Sequence, residues 1–80
     1  MNMPTSEQLR ITVASPPDRK YLVAEIFFGD EQWAELNQEN GLLVLEIYPR
    51  RDGQPWGINY DAVMSALIKA KERLLDDSAA

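Results

Sequence analysis

The stretch YLVAEIFFGDEQWAELNQENGLLVLEIY, residues 21–48, decides the fold. Leu22, Ala24 and Ile26 alternate with Tyr21, Val23, Glu25 and Phe27; Ala34 and Leu36 alternate with Trp33 and Glu35; Leu43, Leu45 and Ile47 alternate with Glu46 and Tyr48. Alternation with a period of two is the pattern of a strand that lays one face on a core. Two turn signals cut the stretch into three strands. Gly29-Asp30-Glu31 reads as a three-residue loop, and Asn40-Gly41 as a two-residue type I′ turn, since both positions tolerate positive φ. The predicted strands are 21–28, 32–38 and 42–48.

These turns fix a register that can be tested for consistency, because a one-residue slip would turn every core residue to the other face. The Asn40-Gly41 turn sets Leu36 opposite Leu45, Ala34 opposite Ile47, Glu35 opposite Glu46 and Trp33 opposite Tyr48. The Gly29 loop sets Ala24 opposite Leu36, Ile26 opposite Ala34, Glu25 opposite Glu35 and Phe27 opposite Trp33. Both turns therefore imply one sheet with one apolar face.

Working outward, Leu9, Ile11 and Val13 alternate with Arg10, Thr12 and Ala14, a strand over 9–14 that Pro16-Pro17 must end. Beyond Pro49, residues 50–58 contain Asp52-Gly53, Pro55 and Gly57, all turn chemistry. Asn59 then suits an N-cap and Asp61 the first turn of a helix over 60–75, whose apolar stripe is expected at Tyr60, Val63, Met64, Leu67, Ala70 and Leu74. The expected architecture is α+β: a four-stranded antiparallel meander with one C-terminal helix packed on one face. It forms a single domain over residues 1–80, with 1–6 and 77–80 frayed.

The 80 residues include 13 acids and 8 bases, a net charge of −5. Nucleic-acid phosphates and anionic membrane surfaces call for a basic footprint, so neither is an expected partner. No apolar run reaches the roughly 20 residues of a membrane span. There is no cysteine and no histidine. The chain therefore offers neither disulfides nor the commonest metal ligand and general base, and a cytoplasmic location is expected. The serines have no histidine or Ser-x-x-Lys partner to activate them, and the four glycines stand singly rather than in a phosphate loop. No enzymatic activity, metal or cofactor is expected.

Candidate site residues come from the outward face. The register places Glu25, Glu35 and Glu46 in one row across three strands, and Phe27, Trp33 and Tyr48 in the next. Like charges directly opposite each other destabilise a sheet, so stability alone does not select that row. Two readings stand side by side. In one, the carboxylates are solvated, Arg10 neutralises Glu25 and the aromatics cover the sheet. In the other, the six residues form a recognition face, with aromatic anchors and carboxylates for basic groups. A row of three carboxylates also suits a hard cation in principle, but a flat sheet lacks the concave pocket that fixes coordination. Arg50, Arg51 and Trp56 in the 50–58 loop are secondary candidates. Trp56 reads either as a cap folded over the open end of the core or as an anchor at an interface rim.

The segments Ala24-Glu25-Ile26, Trp33-Ala34-Glu35-Leu36-Asn37-Gln38-Glu39 and Leu45-Glu46-Ile47-Tyr48-Pro49, in a meander-plus-helix layout running from Leu9 to Leu75, resemble the small acidic immunity proteins of bacterial polymorphic-toxin and contact-dependent-inhibition systems. The resemblance implies a non-enzymatic protein that binds a cognate toxin domain, often a basic nuclease, and blocks its active site. The competing expectation is a self-associating structural or regulatory domain, a homodimer through the sheet face or the last strand.

Overall fold

A computed structural model describes residues 9–79. The expected fraying of residues 1–6, and Ala80, lie outside the described residues. Four antiparallel strands, β1 (Leu9–Ala14), β2 (Val23–Phe28), β3 (Glu31–Asn37) and β4 (Val44–Ile47), form one sheet in the order β1-β2-β3-β4, followed by helix α1 (Tyr60–Ala79). This is the predicted α+β meander with a C-terminal helix. Among the described residues, no helix is long and apolar enough to cross a membrane.

The strands differ from their predicted bounds at the turns. Residues 21 and 22 stay out of β2; the backbone N–H groups of Lys20 and Tyr21 instead donate to the Glu39 carboxylate. The β3–β4 connection is not the type I′ turn expected at Asn40-Gly41. Gly41 N–H donates to the Gln38 carbonyl at 3.2 Å, and Gly41 alone has positive φ, +78°, so the turn is centred on Glu39-Asn40. The register survives this: Leu36 faces Leu45, Glu35 faces Glu46 and Ala34 faces Ile47. A Cβ at residue 41 would meet nothing within 4 Å, so any substitution cost there is backbone strain rather than a clash. Gly41→Val is expected to lose about 1–2 kcal/mol in urea unfolding, the cost of holding a branched residue at left-handed φ. Unchanged unfolding would mean that the turn has another form available.

The β2–β3 hairpin carries the larger correction. Its loop is two residues, Gly29-Asp30, with positive φ at Gly29 only, the pattern of a type II′ turn. Phe28 therefore faces Glu31 and Phe27 faces Gln32, while Ile26 still faces Ala34 and Glu25 faces Glu35. The one-residue shift between these pairs is a β-bulge, and Trp33 is its extra residue. Trp33 is thus not opposite Phe27 and not on the outer face; it is 6% exposed and part of the core. The expected pairing with Tyr48 persists through the backbone, Tyr48 N–H to the Trp33 carbonyl at 2.9 Å.

Asn59 caps α1 as predicted, its Oδ1 accepting Ala62 N–H at 2.9 Å. The helix runs past residue 75 to Ala79, so Lys69, Lys71 and Arg73 are not in its last turn, which holds Asp76 and Asp77 instead. No Gly or Pro follows Leu75 to stop it. The buried stripe is Ala62, Ala66, Ala70 and Leu74. Small residues four apart let the helix sit close on the sheet, and it does so mainly over β1 and β2. The predicted stripe members Tyr60 and Met64 are exposed, and so are Leu43 and Ile47 on the sheet. The core of Leu9, Ala24, Ile26, Trp33, Ala34 and Leu36 lies under the helix, and the inner side of β4 stays largely open.

Candidate functional site

On the outer face, the β1–β2 loop folds back across the sheet and carries Arg19 to the acidic row. One Arg19 Nη lies 2.7 Å from Glu35 Oε2 and 2.9 Å from Glu46 Oε2. Asn37 Nδ2 donates to the same two oxygens, at 3.2 and 2.7 Å, and Tyr48 O–H donates to Glu35 Oε1 at 3.4 Å. Glu35 and Asn37 are buried, at 5% and 3% exposure. The three carboxylates are neighbours as predicted, but a guanidinium and an amide already offset the repulsion between two of them. Arg10 does not pair with Glu25; its guanidinium lies 4.5 Å from the centre of the Phe27 ring and bonds Thr12 Oγ1. Phe27, Glu25 and Tyr48 are half-buried on this face.

The protonation states follow from these contacts. The Glu46 bond, with the charges of Glu35 and Glu46, raises the Arg19 pKa against a smaller burial penalty. Tyr48 is held above its ordinary range by burial, then by the charges of Glu35 and Glu46, so it remains a neutral donor. Glu39 is held below the ordinary carboxylate range, chiefly by the backbone N–H of Lys20 and secondarily by that of Tyr21. A carboxylate whose folded pKa lies below its unfolded value contributes stability above the unfolded value, and that contribution disappears as pH falls through the folded value. Glu39→Ala is therefore expected to be less stable than wild type at about pH 7, with a smaller gap at about pH 3. Urea unfolding at both values measures the difference, and a constant gap would show that the Glu39 bonds contribute nothing.

The 50–58 loop is tied to the sheet. Trp56 Nε1 donates to the Tyr48 carbonyl at 2.8 Å, and its ring meets Phe28 edge-on at 6.2 Å. Arg50 lies 5.8 Å from the Trp56 ring centre and bonds the Pro55 carbonyl, while Arg51 N–H bonds Glu31 at 2.6 Å. Trp56 is thus the cap over the end of the core, and Arg50 and Arg51 hold the loop in place.

The inner face presents the feature that sequence reading missed. Where α1 leaves β4 uncovered, a groove of about 300 Å³ runs between strand and helix, lined by Leu36, Leu43, Leu45, Leu67, Ile68 and Lys71. Ile47 at 57%, Ile68 at 58% and Met64 at 41% exposure continue the apolar surface at its sides. A signal for it exists in the sequence: Tyr60, Met64 and Ile68 repeat every four residues, a second stripe beside the alanine stripe. Arg19 had no such signal, since a single base after a Pro-Pro loop has no periodicity to place it.

No family model matches the chain, and no curated protein or solved structure does either. Of the six residues expected on the recognition face, Trp33 and Glu35 are buried, Glu46 is tied to Arg19, and Glu25, Phe27 and Tyr48 keep partial access.

Proposed function

We propose that the chain is a non-enzymatic binding domain that acts by direct contact with another protein, through the apolar surface formed by β4 and the flank of α1. The observation that carries this reading is the open groove with Leu43, Ile47, Met64 and Ile68 exposed around it. Burying one such side chain fully is worth about 1.5–3 kcal/mol, which an 80-residue domain forgoes by leaving the surface in water. Large contiguous apolar surface on a small protein marks an interaction site. The cytoplasm suits a chain that uses no disulfides.

A second reading keeps the immunity-type role toward a basic bacterial toxin domain, with the outer face as the contact. It is favoured by the net charge of −5 and by the partial access of Glu25, Phe27, Glu46 and Tyr48. Titration against the product of the adjacent gene separates the two, using wild type, Ile68→Glu and Glu25→Lys at low and high salt. The first reading expects Ile68→Glu to lose binding at least tenfold with little salt dependence. The second expects Glu25→Lys to lose it, most strongly at low salt. Binding that neither variant changes removes both surfaces.

A further inference from the structure

The sheet has two edges, and they are finished differently. On β1, Arg73 of the helix donates to the Ile11 carbonyl at 2.8 Å, covering part of that edge with a cation. On β4, alternation of the ladder settles which groups are free. Tyr48 N–H points to Trp33, so Glu46 and Val44 point their backbone groups to β3, and Leu45 and Ile47 point theirs away from the sheet. No side chain or loop among the described residues bonds to these outward groups. Edge strands are ordinarily blunted by very short length, lysine, proline, a bulge or an inward-pointing charge, and of these β4 has its four-residue length. The run Leu42-Leu43-Val44-Leu45-Glu46-Ile47 has only Glu46, which faces the outer side and is tied to Arg19 and Asn37. Leu43 and Ile47 on one face and Val44 on the other are exposed.

We propose that β4 pairs antiparallel with β4 of a second copy about a two-fold axis at Leu45, joining the two sheets into one of eight strands. The inference rests on the reading of the β4 surface as a contact face. Opposed residues share a face, so a two-fold pair keeps both apolar faces on one side only if it is centred on a residue rather than between two. Centring on Glu46 would oppose two glutamates. Centring on Leu45 opposes Leu45 with itself and Leu43 with Ile47, and brings the outward N–H and C=O groups of these residues together as hydrogen-bonded pairs. Stacking the two inner faces against each other is less favourable, because the far side of α1, with Asp61, Lys69 and Glu72 exposed, would meet the apolar sheet of the second copy. The pairing covers Leu43, Val44 and Ile47, which are exposed in the single chain.

Sedimentation equilibrium across the micromolar to millimolar range tests the pairing. The mass is expected to rise from the 9.1 kDa of one chain toward twice that value. Ile47→Pro removes an outward N–H without touching the ladder to β3 and is expected to stay monomeric. The chain has no cysteine, so single introduced thiols report the register directly. In the proposed pair the Cα atoms at position 45 lie about 5.5 Å apart, within disulfide range, and those at position 42 about 20 Å apart. Leu45→Cys should therefore cross-link faster than Leu42→Cys, although Leu42 is 70% exposed and random collision would favour it. A mass of one chain at all concentrations, or faster cross-linking at position 42, overturns the proposal. If the chain is monomeric but Ile68→Glu still abolishes binding of the adjacent gene's product, the second copy is wrong and the surface stands. If Ile68→Glu has no effect either, both readings fall.

Discussion

Trp33→Ala is expected to lower folding stability by about 3–5 kcal/mol, the usual cost of deleting a buried aromatic. The indole is 6% exposed in the main core, alongside Ile26, Ala34 and Leu36. The bulge puts it there, because an extra residue on β3 turns Trp33 to the same side as Ala34. In a domain whose total stability is of order 5–15 kcal/mol, that loss approaches global unfolding. Phe27→Ala is the matched control. Its ring lies on the outer face under Arg10, half-buried, and should cost distinctly less. Urea unfolding of both variants measures the contrast. Equal costs would return Trp33 to the outer row, and the bulge would have to be discarded.

Arg19→Ala should be the most damaging change outside the core, lowering Tm on the order of 10 °C. It leaves the buried Glu35 carboxylate facing Glu46 and Glu25 across the sheet with no cation nearby. Removing one partner of a buried ion pair costs far more than the pair contributes, because the remaining charge has lost both water and counter-ion. Arg19→Lys should restore much of the loss, since one Arg19 nitrogen contacts both carboxylates and a single ammonium, with three donors, can do the same. The sequence alone suggests that Glu35→Gln relieves repulsion and is neutral or stabilising. With Arg19 in place the sign reverses, and Glu35→Gln should destabilise. Thermal unfolding followed by circular dichroism tests both variants; an Arg19→Ala Tm equal to that of wild type would show that the bonds to Glu35 and Glu46 contribute nothing.

The strand order, the pairing of Leu36 with Leu45 and of Glu25 with Glu35 and Glu46, and the Asn59 cap were all readable from the sequence. Each depends on local signals: a two-residue period, a glycine where φ must be positive, a capping side chain next to the helix it caps. Register tolerates error in turn type, which is why the Asn40-Gly41 reading was wrong in geometry and right in consequence. A bulge is different. It inserts one residue without changing composition or hydrophobic pattern, so only the competition between core and solvent for the Trp33 indole decided its face.

The site depended on distance in sequence. Arg19 reaches Glu35 and Glu46 only because the 15–22 loop folds over the sheet, and nothing at residue 19 announces partners 16 and 27 positions away. The tertiary structure turned an apparent acidic recognition row into an internally bonded network. It also moved the open surface to the other side of the sheet. Which of two helix stripes is buried cannot be settled by periodicity, since both repeat every four residues. Packing settled it: the alanine stripe allows the closer approach over β1 and β2, so the stripe of Tyr60, Met64 and Ile68 was left facing water beside an uncovered β4.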